Sequence, residues 1–230
     1  MMNEGDLKAL YPFLHGTRQE PEKLDAALFQ SVEEKARDSR ETNLRFFCEQ
    51  APTLVAAAKT VANIYRAGGR LFSMGNGGSS CDASHIAVEF THPITTGRPA
   101  LAAVNLVADL AMISAVGNDV GFEHVFVRQI VAHGKAGDGL IGFSTSGNSS
   151  NLIAAFAKAK EMGIATIGLA GGDGGKMNAA GVVDHCLIVP TISIHRIQEC
   201  HVTAYHILWD LVHTLLADDR GSASMKGTAP

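Results

Sequence analysis

A chain of 230 residues that is 46% hydrophobic has the material for one sizeable core and the length of a single α/β domain. Nineteen basic against 23 acidic residues give a net charge of -4 and a pI near 6.2, which excludes a broad cationic surface for nucleic acid or anionic lipid. No stretch approaches the ~18 uninterrupted apolar residues of a membrane span, and MMNEGDLKAL lacks the basic and apolar regions of a signal peptide, so a cytoplasmic protein is expected.

Residues 1–21 carry Pro12, Gly16 and Pro21 without a sustained period and predict an irregular lead-in. Apolar residues then recur at helical spacing, first through Leu24, Leu28, Val32 and Ala36, and again through Val55, Val61 and Ile64 until Gly68-Gly69, so two helices, 24–48 and 51–66, precede the rest. Short apolar runs at 70–74, 100–105, 139–144, 165–169 and 182–189 read as buried strands. Helices fit between them at 80–91, 108–116, 121–132 and 149–162, with a last one at 195–217. Alternation of this kind predicts an α/β fold with a five-stranded parallel sheet flanked by helices. One domain is expected over 22–217, with a disordered tail at 218–230. The last helix is apolar on several sides, which fits either a central core helix or one covered by a second subunit. Cys48, Cys81, Cys186 and Cys200 are scattered without C-x-x-C spacing and are expected as reduced thiols.

Two loops at strand ends stand out, where ligands of open parallel sheets bind. The first is Gly75-Asn76-Gly77-Gly78-Ser79-Ser80, whose glycines permit close backbone approach and whose serines can cap the next helix. The second is Ser144-Thr145-Ser146-Gly147-Asn148-Ser149-Ser150, which offers a phosphate amide and hydroxyl donors and a helix N-terminus without needing Lys or Arg. Either loop alone would pass for a turn with an N-cap; two at equivalent strand ends favour ligand binding. Neither is a nucleotide motif, since GNGGSS lacks the last glycine of G-x-G-x-x-G and Gly175-Lys176 is followed by Met177, so no nucleotide cofactor is expected.

GNGGSSCDASHIAVEF, AVGNDVGFEHVF, FSTSGNSSNLI, GGDGGKM and RIQECHVTAYHILWDL follow one another at intervals that resemble the sugar isomerase (SIS) domain. Within that group, over residues 51–216, the chain is similar to the sedoheptulose 7-phosphate isomerases, also called phosphoheptose isomerases. The resemblance implies a three-layer sandwich with two additional N-terminal helices. It implies that Asn76, Gly77, Gly78, Ser79, Asn118 and Asp119 hold the sugar, and that Ser144, Thr145, Ser146 and Ser149 hold the phosphate. It further implies zinc ligands at His85, Glu89, Gln198 and His206, with Gln198 also touching substrate and Glu89 and His206 forming the acid/base pair. A homotetramer with sites near subunit interfaces, and a role in heptose precursors of lipopolysaccharide, are implied in the same way. His195 stands where relatives often have an acidic residue, and the N-terminal stretch is longer than usual.

The residues agree with the implied chemistry. Aldose–ketose isomerisation moves a proton between adjacent carbons through an enediol and needs one base and one polarising acid. His85 and Glu89 stand four apart on a predicted helix and share a face, which fits a common metal or substrate as well as a surface ion pair. Gln198 and His206 are separated by ~12 Å of rise and ~80° of rotation, so they converge only by leaning together or from different subunits. The alternative to an isomerase is a non-catalytic SIS protein that senses a sugar phosphate or binds a protein partner, as initiator-binding relatives do. Those differ at the acid/base positions, whereas Glu89 and His206 are both present here.

Overall fold

The computed structural model describes residues 21–226, with side chains from 24 to 217. The expected lead-in and the last residues of the expected tail lie outside the described residues. The chain divides into two compact units, 1–40 and 41–230. In the first, the described residues are helical, and Leu24, Leu28, Phe29 and Val32 are exposed.

The two expected N-terminal helices are one helix, α1 (Pro21–Arg66), with Pro52 inside it. Pro52 supplies no amide to the Cys48 carbonyl, and such a residue usually starts a helix rather than continuing one. Here the buried stripe runs past it on both sides: Phe46 precedes it, and Leu54, Ala58 and Val61 follow, all in one apolar cluster. Burial of those side chains, about 1.5–3 kcal/mol for each large one, outweighs one missing hydrogen bond. Gly68, at φ 74°, ends the helix, and the Gly69 amide returns to the Ile64 carbonyl at 2.9 Å.

Five strands follow: β1 (Leu71–Gly75), β2 (Ala103–Asn105), β3 (Gly139–Ser144), β4 (Ala165–Gly171) and β5 (His185–Val189). They form one parallel sheet in the order β2-β1-β3-β4-β5. Between them lie α2 (Gly78–Thr91), α3 (Leu110–Asp119), a 3-10 turn at Phe122–His124, α4 (Val125–His133), α5 (Ser150–Glu161) and α6 (Gly175–Ala179), and α7 (Ile194–Lys226) closes the chain. Every residue of β1 and β3 is buried, as in a sheet covered on both faces. Leu71, Ile141, Phe143 and Leu169 meet Ile86 and Phe90 of α2 and Ile197, Tyr205 and Leu208 of α7 on one face. Phe72, Met74, Leu140 and Ala170 meet Ile130 of α4, Phe156 of α5 and Met177 of α6 on the other. The result is the expected three-layer arrangement.

Element ends depart from expectation where backbone groups find other partners. β2 is shorter than 100–105 because Pro99 has no amide and the Leu101 amide bonds Phe90 O at 2.8 Å instead of a strand. β5 starts at His185 rather than 182 because the Thr166 amide is taken by the Asp184 carboxylate at 2.9 Å. α6 was not expected, and α7 continues past residue 217. All four cysteines are free, and no helix among the described residues is long and apolar enough to cross a membrane.

The chain passes from β1 to β2 on one side and returns to β3 on the other, so the sheet changes direction between β1 and β3. Loops leaving neighbouring strands diverge there and open a crevice beyond their carboxyl ends. The loops after β1 and β3 are the two singled out by sequence.

Candidate active site

The first loop leads from β1 into α2. Its helix starts at Gly78, and the preceding Gly77 makes no side-chain cap. The serines do not cap as expected: Ser80 Oγ donates to Gly77 O at 2.7 Å, and Ser79 is buried. Gly78 lies against α7, where an added Cβ would come within 2.2 Å of Gln198 Nε2 and displace the end of that side chain.

The second loop leads from β3 into α5. Ser149 occupies the N-cap position without a capping side-chain bond; its Oγ lies 3.1 Å from Ser144 Oγ. Gly147, at φ 64°, presses on the segment after β4, where an added Cβ would stand 2.0 Å from Gly174 O. The Met177 amide bonds Gly147 O at 2.8 Å and the Lys176 amide bonds Asn148 Oδ1 at 3.0 Å. GGDGGKM is therefore the brace of this loop. Thr145 and Ser146 line a cavity of about 360 Å³ with Gly172, Asp173, Ile194 and Ile197. That volume falls within the usual range for small-ligand pockets.

The loops are joined by a residue that sequence reasoning missed. Asn151, 1% exposed in the first turn of α5, exchanges two amide hydrogen bonds of 2.9 Å with Asn76. An Asn in a helix's first turn is common, so nothing local distinguished it.

Beside the first loop, α2 and α7 bring His85, Glu89 and His206 together, with one ligand atom from each within 4.8 Å of the others. His85 Nε2 is 3.1 Å from Glu89 Oε1, and the two imidazole rings are 5.1 Å apart and nearly perpendicular. Burial first, and then the charge of His85, hold the His206 imidazole below its usual value, with Glu89 acting the other way. Two imidazoles and a carboxylate are a donor set suited to zinc, so the residues present fit the implied metal. Trp209 Nε1 donates to the Glu89 carbonyl at 2.8 Å and carries Arg98 over its ring at 4.5 Å, which braces the end of α2.

Asp82, one turn before His85, is 6% exposed, and its Oδ2 has no hydrogen-bond partner among the described residues. Burial pushes its carboxyl up to about 6, and His85 opposes that shift. Tyr205 is also buried, and its hydroxyl lies 2.7 Å from His85 Nδ1. Burial, and then Asp82 and Glu89, raise the phenol above its usual value, so it stays protonated. Neither was legible as a site residue, since Tyr205 reads as one of the apolar positions of the last helix.

Gln198 lies against Gly78 at the start of α2. Asn118 and Asp119 are exposed at the end of α3 and bond each other, Nδ2 to Oδ1, at 2.8 Å. Sequence reasoning grouped these with the sugar loop; within one chain Asn118 and Asp119 share no hydrogen bond with it among the described residues.

Comparison with known proteins agrees with this geometry. A model of the SIS domain matches residues 36–171. The chain is 44% identical to the phosphoheptose isomerase of Roseiflexus sp. (strain RS-1) over 170 residues, 74% of this chain and 85% of the relative. It is 45% identical to that of Aneurinibacillus thermoaerophilus over 165 residues, 71% and 82% of the two chains. The solved structure of phosphoheptose isomerase from Neisseria gonorrhoeae superimposes with a TM-score of 0.76 at 37% identity, covering 81% of this chain and 99% of that one. That from Francisella tularensis does so with 0.72 at 32% identity, covering 80% and 98%. With the SIS fold, two serine- and glycine-rich loops at the switch point and a His-Glu-His cluster beside them, the chain belongs to the phosphoheptose isomerase family of sugar-phosphate isomerases.

Proposed function

We propose that the protein converts sedoheptulose 7-phosphate to D-glycero-D-manno-heptose 7-phosphate through an enediol. The observation that carries this reading is the convergence of Glu89 and His206, 117 positions apart in sequence, with His85 beside the loop after β1.

In this reading Ser144, Thr145, Ser146 and Ser149 bind the phosphate with hydroxyls and amides at the start of α5. Asn76, Gly77, Gly78, Ser79 and Gln198 hold the sugar, joined by Asn118 and Asp119. The Glu89 carboxylate takes a proton from C1 of the ketose. The electron pair forms the C1–C2 double bond of the enediol while O2 gains a proton. Return of a proton from Glu89 to C2, with loss of the O1 proton, yields the aldose. Burial favours the neutral form of His206, in which one ring nitrogen can donate to the carbonyl oxygen and the other accept the hydroxyl proton in the opposite half-step. His85, Glu89, Gln198 and His206 would hold a zinc ion, which when bound supplies Lewis-acid polarisation of the sugar oxygens.

The apolar residues exposed along α1, among them Leu28, Phe29, Val32 and Leu44, support a homotetramer with sites near subunit interfaces. The sugar phosphate substrate supports a cytoplasmic enzyme that feeds heptose-containing glycans such as lipopolysaccharide.

The test is conversion of sedoheptulose 7-phosphate by wild type, Glu89→Gln and His206→Ala, each with and without zinc. Turnover by wild type and its loss in both variants supports the reading. A folded wild type that binds the sugar phosphate without converting it overturns the reading in favour of a sensor.

A further inference from the structure

His85 is held from both sides within one chain. Its Nε2 faces Glu89 Oε1 at 3.1 Å and its Nδ1 faces the Tyr205 hydroxyl at 2.7 Å. Tyr205 is 1% exposed, and its ring packs edge-on against His85 at 5.3 Å, His206 at 4.7 Å and Phe143 at 5.9 Å. The hydroxyl is therefore delivered to His85 by a side chain locked by packing on three sides, at the shorter of the two distances to that ring.

We propose that Tyr205 is a positioning residue that fixes the ring orientation of His85 in either tautomer, so that Nε2 is the atom presented to Glu89 and His206. This rests on the assignment of His85, Glu89 and His206 as the reaction centre. The chemistry follows from the two ring nitrogens. With Nε2–H donating to the Glu89 carboxylate, Nδ1 has a lone pair and accepts the Tyr205 O–H. When Nε2 is needed as a lone-pair donor to a cation, the proton must sit on Nδ1, which then donates to the Tyr205 oxygen. A hydroxyl serves both states by rotating about its C–O bond, whereas a carbonyl would serve only the second and an ammonium only the first. Tyrosine thus lets His85 change tautomer without moving its ring.

Tyr205→Phe removes the hydroxyl and keeps the ring contacts. Three measurements decide the matter. The first uses metal-free protein labelled with 15N-histidine, with His85 assigned by its loss in His85→Gln. Wild type is expected to show the 15N shift of a hydrogen-bonded His85 Nδ1 and one ring environment, and Tyr205→Phe to lose that hydrogen-bond shift. The second is zinc affinity by competition with a chromogenic chelator, expected to fall roughly 10- to 100-fold. The third is steady-state kinetics, expected to show a lower kcat for the sugar phosphate with KM within a factor of about 2, because the phosphate and sugar loops are untouched. A Tyr205→Phe protein that keeps the wild-type His85 Nδ1 signal and zinc affinity overturns the proposal. If wild type neither binds zinc nor converts the sugar phosphate, the functional reading fails, and the His85 Nδ1 signal in metal-free protein still decides the role of Tyr205.

Discussion

The amides of Asn76 and Asn151 each donate to the other's carbonyl oxygen at 2.9 Å, joining the loop after β1 to the helix that follows β3. This pair spans the place where the sheet changes direction, so it sets the spacing between the loops after β1 and β3. Asn151→Ala leaves the Asn76 amide with neither bond. The expected outcome is a loss of about 1–3 kcal/mol in thermal or urea unfolding and a rise in KM for the sugar phosphate. A variant with wild-type KM would show that the pair does not set loop spacing.

Gly147 and Gly77 both have positive φ, at 64° and 53°, but differ in what surrounds them. A Cβ on Gly77 meets nothing within 4 Å, while one on Gly147 would stand 2.0 Å from Gly174 O. At φ 53° and ψ -125° Gly77 holds a conformation that L side chains rarely adopt, so Gly77→Ala should lose about 1–3 kcal/mol through backbone strain alone. Gly147→Ala should lose a further ~1–3 kcal/mol through overlap and weaken competitive inhibition by inorganic phosphate. Melting temperatures of the two variants and the phosphate inhibition constant of Gly147→Ala check this; equal losses would refute it.

His201 is fully buried beside Phe143, and burial lowers its imidazole to about 4. The folded state therefore holds it neutral over a range in which the unfolded chain, titrating near 6.5, binds a proton. Stability is unaffected by this group above pH 6.5, falls as pH drops below it, and levels off near pH 4. The loss over that window is about 3 kcal/mol. Urea denaturation across pH 4–7 should show this slope in wild type and a flatter one in His201→Leu.

Pro52 is exposed within α1 and withholds an amide from the Cys48 carbonyl. Pro52→Ala restores that bond, less the greater flexibility it gives the unfolded chain, for a net gain of about 2 kcal/mol. Melting should rise by roughly 4–8 °C at this chain length. An unchanged or lower melting temperature would count against an uninterrupted helix.

Removal of metal with a chelator should abolish turnover while leaving the circular dichroism spectrum intact, because the core on both sheet faces is apolar and independent of the His85–Glu89–His206 cluster. Zinc should restore activity and magnesium should not, since imidazole donors suit the former and oxygen donors the latter. Full activity after exhaustive chelation would remove zinc from the mechanism.

The sequence by itself determined the five strands, the helices between them apart from α6, and the two glycine- and serine-rich loops at strand ends, because these depend on local periodicity and turn chemistry. It also determined the His85–Glu89 pair, four residues apart on one helix, since helical geometry alone puts such residues on a common face. It could not show that α1 continues through Pro52, for that is decided by the core against which Phe46 and Leu54 pack. Tertiary structure alone brought His206 to His85, set Asn151 against Asn76 and turned Tyr205 from a core position into a hydrogen-bond partner. Each of those joins side chains 75 to 121 positions apart. Their meeting is set by how α2, α5 and α7 pack on the parallel sheet, and no local pattern records that.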